Sequence, residues 1–232
     1  MTLTAAELLA ATTARLAPDP PPLSASLERG DPHPNSLVPL IARGEASRET
    51  LAALALEQRW VIAADHRSFL HLAERAADSP AATAFFTSLA EGEALAGEHL
   101  AAFAEESGVT EERTRSHPPR PGCQAYPAYV AWLALNGSPA DVILALTANF
   151  SAWGGYCARI AEGLRRHYGF SDEASAFFDF FAQPAPDLDA QATAALQTAL
   201  DTGRLNTDMA HTYGSLLQSY EAMFWDSLRE TP

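Results

Sequence analysis

The sequence contains no lysine, so all 15 of its lysine-or-arginine positions are arginine. This absence excludes a lysine Schiff base, and with it pyridoxal chemistry of the usual kind. Only two cysteines occur, Cys123 and Cys157, which is too few for a disulfide framework. We therefore expect a protein of the reducing cytoplasm.

Long apolar runs and basic clusters are also missing. No run reaches the roughly 18 apolar residues that a transmembrane helix needs. The N-terminal MTLTAAELLAATTARLAPDP lacks the basic region of a signal peptide, so we do not expect export. The formal net charge is −14, and no basic cluster exceeds Arg165-Arg166, whereas a nucleic-acid surface must be continuously positive. We expect neither a membrane nor a nucleic acid as partner.

The apolar residues follow helical spacing nearly throughout, and no segment alternates as a strand does. A chain of 232 residues can form one large core. We predict an N-terminal helical arm with a proline-rich linker over residues 1–30, and a single all-α domain of seven to eight helices over 31–232. The predicted helices cover about 4–15, 33–43, 47–77, 80–107, 126–135, 138–168, 171–181, 187–202 and 207–229, with 110–124 as the longest irregular stretch. A capping box at Ser138-Pro139-Ala140-Asp141 marks one start.

The segment 219-SYEAMFWDSL-228 places one carboxylate, Glu221, on the apolar side of the last helix. At 100° per residue, Leu217, Phe224 and Trp225 lie within about 60° of it. Glu221 is either a structural acid paired with Arg59 or with tyrosine hydroxyls, or an acid whose pKa is raised by an apolar pocket and which transfers protons.

Asn149 raises the same question in the helix 142-VILALTANFSAWGGYCARIAEGL-164, where Trp153 and Tyr156 share its face. A buried amide must find hydrogen-bond partners, either on a neighbouring helix or on a ligand. Gly154-Gly155 weakens the helix by roughly 1 kcal/mol per glycine, which is tolerated where another helix or a ligand approaches closely.

Metal and nucleophile motifs are weak. No Glu-x-x-His pair occurs, although a carboxylate-bridged di-iron centre needs about six converging ligands. There is no phosphate-binding loop, no GxSxG and no CxxC. We therefore expect neither a metal nor a cofactor. A subset of the aromatic residues, Phe224 among them, can line a slot for a flat ring.

Three segments together resemble one family. The His33-Pro34 opening with IARGEASRETLAALALEQ after it, the helix ALTANFSAWGGYCARIAEGL and the terminal YEAMFWDSL are similar to the TenA/PqqC superfamily, which includes thiaminase II. The resemblance covers about residues 30–230, and its specific part is Tyr-Glu-x-x-Phe-Trp. It implies a haem-oxygenase-like helical bundle that associates as a dimer or tetramer. Glu221 matches the family's pocket glutamate, which handles the pyrimidine and transfers protons. Tyr129, with Tyr126 as the alternative, resembles the pocket tyrosine.

The sequence also departs from this family. Asn149 stands where thiaminases carry their cysteine nucleophile, and an amide forms no covalent adduct. Arg59 aligns with the pocket aspartate that follows the family's glutamine. Cys157 lies eight residues past Asn149, about 12 Å along the helix, which makes it a poor substitute. The His-x3-Asp-x2-His signature of related di-iron oxidases is reduced to Gln183, Asp187 and Ala190.

The leading hypothesis is a TenA-like protein that binds a small nitrogen heterocycle, such as a thiamine-derived aminopyrimidine, in a central pocket. Hydrolysis without a covalent cysteine adduct, with Glu221 as acid/base, is part of this hypothesis, although the sequence leaves open whether the protein is an enzyme. The predicted ligand-binding residues are Tyr129, Tyr126, Asn149, Arg59, Trp153, Tyr156 and Phe224. Two alternatives remain: a non-catalytic ligand-binding or regulatory protein of the same fold, and a metal- or haem-dependent oxygenase, in which His33 would be the proximal ligand of a haem.

Overall fold

The computed structural model describes residues 3–17, 35 and 37–229, and all regular structure within them is helical. Eight helices have eleven residues or more and two have six, which confirms the all-α prediction. None of the described helices is long and apolar enough to cross a membrane. The helices are α1 (Ala5–Leu16), α2 (Leu37–Ala42), α3 (Arg48–Arg75), α4 (Pro80–Glu106), α5 (Glu111–Ser116), α6 (Pro121–Asn136), α7 (Pro139–Gly163), α8 (Asp172–Ala182), α9 (Pro186–Asp201) and α10 (Thr207–Arg229).

Most helix starts follow ordinary end chemistry. Thr4 and Glu7 form a capping box at α1, and the side chains of Ser47 and Ser171 accept hydrogen bonds from backbone N–H groups of α3 and α8. Proline occupies the first position of α4, α6, α7 and α9, where the missing N–H removes no helical bond.

Two local predictions are wrong. The capping box at Ser138 does not form, because the carboxylate of Asp141 accepts from the Asn206 N–H at 2.7 Å and so holds the start of α10. The stretch 110–124 is not wholly irregular: Thr110 caps the short α5, and α6 begins at Pro121 rather than Tyr126. The prediction that the helix starting near Ser138 extends to Tyr168 is confirmed, although it is α-helical only to Gly163 and continues as a π-helical turn over Leu164–Tyr168.

The core consists of two apolar clusters stacked along the bundle. The α9-side cluster contains Phe85, Leu144 and Leu196, and the α8-side cluster contains Phe103, Ile160 and Phe178. The long helices α3, α4, α7 and α10 contribute buried residues to both clusters. The middle turns of these four helices therefore lie where the two clusters meet.

Helix α1 packs against α7, α9 and α10, and its Leu8 is buried in the α9-side cluster. The described part of the predicted N-terminal arm thus lies against the bundle. Most of the proline-rich linker and His33 lie outside the described residues.

Two glycines of α7 have opposite surroundings. A Cβ atom at Gly163 would lie 2.7 Å from the carbonyl oxygen of Ile41, so this glycine allows α2 to approach α7. A Cβ atom at Gly155 would meet nothing within 4 Å.

We expect Gly163→Ala to lower the melting temperature by several degrees, because the gain in helix propensity cannot offset a clash with backbone that has no rotamer to change. Gly155→Ala is the matched control and should raise Tm by roughly 2–4 °C, since alanine stabilises a helix by up to about 1 kcal/mol over glycine. Thermal denaturation followed by circular dichroism measures both. A rise in Tm for both variants would contradict the close approach at Gly163.

Candidate functional site

A cavity of about 1150 Å³ lies between the two apolar clusters. Its wall is formed by α3, α4, α6, α7 and α10, by Leu9 and Thr13 of α1, and by the connection between α8 and α9. Most lining side chains are apolar, with Phe150, Trp153, Phe181 and Phe224 among them. The wall is therefore suited to a flat, largely apolar ligand.

One face of α3 enters the cavity. Gln58, Ile62, Asp65 and Phe69 are spaced by four, three and four residues, which places them on one helix face. Asp65 is only 3% exposed, and its Oδ1 has no hydrogen-bond partner among the described residues. A buried carboxyl without such a partner is costly unless it is protonated or meets a ligand.

Glu93 from α4 is the neighbour of Asp65 in the cavity wall. Burial raises the pKa of Glu93 to about 8. Burial also raises the pKa of Asp65 well above its usual range, and the negative charge of Glu93 raises it further. Two such carboxyls do not ionise independently, so they form a pair that retains a proton near neutral pH.

Glu221 also lies in the cavity wall, as its position in the apolar arc of α10 predicts. The Trp225 indole N–H donates to Glu221 Oε1 at 3.0 Å, whereas the sequence suggested Arg59 or tyrosine hydroxyls as the structural partner. Burial raises the pKa of Glu221, and the hydrogen bond from Trp225 lowers it in part. A carboxyl held at one oxygen with a raised pKa is suited to proton transfer near neutral pH.

Tyr126 from α6 is close to all three of these acids. Burial raises the pKa of its hydroxyl well above the usual range, and the charges of Asp65, Glu221 and Glu93 raise it further. The Tyr126 hydroxyl therefore stays protonated and can donate a hydrogen bond to a carboxylate or to a ligand.

Asn149 lines the cavity beside Gly214 of α10. Its Nδ2 donates to the carbonyl oxygen of Ala145 at 2.8 Å and reaches that of Gly214 at 3.5 Å, while Oδ1 has no partner among the described residues. The Asn149 amide therefore fits both hypotheses in part. Its nitrogen donates to backbone carbonyl groups of α7 and α10, and its oxygen remains free to accept a hydrogen bond from a ligand.

The eight predicted site residues divide into two groups. Glu221, Tyr126, Asn149, Trp153 and Phe224 line the cavity, but Tyr129, Arg59 and Tyr156 do not. Arg59 donates to the carbonyl oxygen of Thr114 at 3.0 Å. The Tyr129 ring contacts Trp132 and Tyr220, and Tyr156 contacts Trp225 edge to face. The structure thus places Tyr126, and not Tyr129, in the cavity wall.

Gly154 and Gly155 serve different purposes. A Cβ atom at Gly154 would lie 3.1 Å from the carbonyl oxygen of Phe181, so this glycine allows α7 and the end of α8 to approach closely. Gly155 has open space beside it, and exposed lining residues Ser151 and Ala158 stand one turn away on either side. Opposite them, exposed residues 183–187 also line the cavity, so this gap is where it reaches the surface.

Sequence reasoning missed Asp65, Glu93 and Gln58. The signal for the first was available, because Asp65 lies seven residues after Gln58 and shares its helix face. Glu93 had no comparable signal, because α4 carries several glutamates and only tertiary packing distinguishes the one that faces inward.

The described lining residues include no histidine, cysteine, arginine or lysine. Cys123 and Cys157 are buried elsewhere, and burial raises the pKa of Cys123 to about 12, which leaves it a poor nucleophile. No group of three His, Cys, Asp or Glu side chains among the described residues is arranged to hold a metal ion. The described lining also offers no nitrogen or sulfur ligand to a haem iron, and His33 lies outside the described residues.

The raised pKa of Glu93 predicts how stability depends on pH. The folded state binds this proton more tightly than the unfolded chain, whose glutamate titrates near 4.5. Stability should therefore fall as pH rises from about 4.5 to about 8 and then level off. Glu93→Gln should weaken this fall and raise Tm at pH 8, by roughly 2–4 °C for each kcal/mol recovered.

Thermal scans from pH 5 to pH 9 measure this difference. Glu91→Gln is the matched control, because Glu91 lies exposed on the same helix and its loss removes the same charge. A Glu93→Gln variant that is less stable than the wild type at pH 8 would contradict the assignment of a protonated, buried Glu93.

Comparisons with known proteins agree with this architecture. A domain of unknown function with a haem-oxygenase-like fold from Shewanella denitrificans has a TM-score of 0.69 at 14% identity, over 99% of this chain and 94% of that one. A TenA homologue from P. horikoshii has a TM-score of 0.65 at 13% identity, over 99% of this chain and 100% of that one. A TenA homologue from Pseudomonas syringae has a TM-score of 0.67 at 13% identity, over 97% of this chain and 94% of that one. No curated protein matches the sequence.

These likenesses confirm the predicted haem-oxygenase-like fold. The model of the TENA/THI-4/PQQC family matches residues 27–231, which include every described cavity residue except Leu9 and Thr13 of α1. The chain therefore belongs to the TENA/THI-4/PQQC family.

Proposed function

We propose that the cavity binds a small, flat nitrogen heterocycle, such as a thiamine-derived aminopyrimidine, and hydrolyses it with Glu221 as the acid/base. The observation that carries this proposal is the Glu221 carboxyl, which lines the cavity, has a pKa raised by burial and is held by Trp225. The chain belongs to the TENA/THI-4/PQQC family, and two of the structures that it resembles are TenA homologues, which supports the proposed ligand class.

The walls support a planar ligand. Trp153 and Phe224 flank the α7–α10 side of the cavity, and Phe150 continues the aromatic surface. The cavity volume of about 1150 Å³ lies just above that of most small-molecule sites, which typically range from about 300 to 1000 Å³. A single aromatic ring would leave much of this space empty. A ring with a substituent fits this shape better than a ring alone.

The reaction proceeds through water, because the described lining contains no thiol. One Glu221 oxygen, while ionised, takes a proton from a water molecule, and the water oxygen forms a bond to the carbon that carries the leaving nitrogen. The carbon–nitrogen bond breaks, and the leaving nitrogen receives its proton from Glu221. The products are the hydroxylated heterocycle and the released amine. Trp225 keeps the carboxyl oriented during both transfers.

Binding without turnover is the second candidate. It is favoured by the amide of Asn149 at the position where thiaminases carry their nucleophile, and by the absence of a thiol from the described lining. In that case the same cavity would retain the heterocycle unchanged.

Glu221→Gln should lower hydrolysis by at least about 100-fold while the protein stays folded, because the amide can neither accept nor return the proton. Liquid chromatography with mass spectrometry of incubations with thiamine and with aminopyrimidine derivatives measures turnover, and native mass spectrometry measures bound ligand. Asp226→Asn is the control, since Asp226 lies exposed on the same helix.

Full activity in Glu221→Gln would overturn the catalytic role of Glu221. Ligand bound to wild type without turnover, and lost in Glu221→Gln, would instead favour the binding protein.

We also propose that the protein is cytoplasmic and associates with itself as a dimer or tetramer. Trp132 on α6 and Met223 on the adjacent α10 are each 47% exposed, and Leu216 of α10 is 37% exposed. A second copy would cover such a surface. Analytical ultracentrifugation should give a dimer or tetramer, and Trp132→Glu should shift it toward the monomer. A wild-type monomer at micromolar concentration would contradict this expectation.

A further inference from the structure

Every charged side chain among the described lining residues is acidic. Asp65, Glu93 and Glu221 lie in the interior, and Asp187 and Asp189 are exposed in the first turn of α9 at the mouth. The described lining contains no arginine, lysine or histidine, and the Asp65–Glu93 pair shares one proton for two carboxyls, so the net charge of the cavity wall is negative. An anionic ligand such as a phosphate ester or carboxylate would enter against this potential, whereas a cation would be attracted.

Asp65 differs from the other buried acids of the chain. Asp141 accepts the Asn206 N–H, and Glu57 accepts from the backbone N–H of Arg120 at 3.1 Å and contacts His117 Nε2 at 2.6 Å. Those two acids join helices. Asp65 is equally buried, and its Oδ1, like Oε2 of Glu57, has no hydrogen-bond partner among the described residues, but of these three acids Asp65 alone lines the cavity. The free oxygen of Asp65 therefore belongs to a residue of the cavity wall, where a ligand can bind it.

We propose that the Asp65–Glu93 pair is a binding subsite for a protonated nitrogen of the ligand, of the amidinium or alkylammonium class. This inference rests on the proposed function only in placing the ligand in this cavity. The ligand is then an unphosphorylated organic cation, or a heterocycle with a basic substituent, and Asp65 with Glu93 receives its charged end.

The geometry favours an organic cation over a metal ion. No set of three metal-ligating side chains converges among the described residues. Two carboxyls can instead accept several N–H bonds from an amidinium, whose planar fork matches carboxylate geometry. The aromatic surface around Trp153 and Phe150 adds cation–π attraction and covers the apolar part of the ligand.

Proton release accompanies binding at such a subsite. The pair holds a proton near neutral pH, because burial raises the pKa of Glu93 to about 8 and that of Asp65 well above its usual range. The groups that face the pair are Tyr126 from α6, which stays protonated, and Glu221 from α10, with Asp187 and Asp189 nearer the mouth. A cation favours the ionised pair, so its affinity should rise with pH by up to about tenfold per pH unit below 8.

Three probes of one shape test the proposal: benzamidine, which is cationic, benzamide, which is neutral, and benzoate, which is anionic. Titration calorimetry with the whole chain should show that benzamidine binds at least tenfold more tightly than benzamide at pH 8, and that benzoate does not bind. The affinity for benzamidine should increase from pH 6 to pH 8. Proton release should appear as a dependence of the measured binding heat on the ionisation enthalpy of the buffer. None of these readouts requires a variant to fold.

Variants locate the site. Asp65→Asn and Glu93→Gln should each weaken the binding of benzamidine at least tenfold and reduce the pH dependence of its affinity. Glu91→Gln should leave the affinity and its pH dependence unchanged. Equal affinity for benzamidine and benzamide, or a benzamidine affinity that only Glu221→Gln reduces, would overturn the subsite. Stoichiometric Mg²⁺ or Zn²⁺ binding that excludes benzamidine would also overturn it.

The outcomes separate this inference from the proposed function. An aminopyrimidine that binds and turns over through Glu221 while benzamidine fails would leave the function intact and remove the subsite. Benzamidine bound through Asp65 and Glu93, without turnover of any heterocycle, would leave the subsite intact and remove the hydrolysis.

Discussion

The main constraint on this structure is that the carboxyl groups of Asp65, Glu93 and Glu221 are buried around one cavity. The described lining places no basic residue beside them. An isolated buried carboxylate costs several kcal/mol, so such groups retain their protons instead. The cost is offset by the two apolar clusters, which fill the bundle on either side of the acids. The acids therefore remain available to a ligand rather than being neutralised by salt bridges.

Salt bridges of the same chain lie elsewhere. Arg43 pairs with Glu45 and Arg165 pairs with Asp172, in both cases at the surface. Arg59, the one basic residue that sequence alignment placed in the pocket, is directed to the carbonyl oxygen of Thr114 instead. No arginine belongs to the described lining, so the charged side chains of that lining are of a single sign.

Helical periodicity predicted the bundle and one wall of the site, because each depends on spacing within a single helix. Glu221 could be placed on the apolar face of α10 from its neighbours, and Asn149 on α7 in the same way. Asp65 and Glu93 come from different helices, and their proximity depends on how α3 packs against α4, which periodicity does not specify. Arg59 does not line the cavity, although Gln58 does, because one position along a helix turns a side chain by 100°.

An amide at Asn149, and no thiol in the described lining, is consistent with this electrostatic environment. A thiolate needs a neighbouring positive charge or helix N-terminus to form near neutral pH, and burial beside acids raises its pKa instead. Cys157 shows the effect, since burial and the charge of Glu221 both raise the pKa of its thiol. An all-acid cavity therefore disfavours thiolate chemistry and favours proton transfer by carboxyls with raised pKa values, which matches the groups that line it.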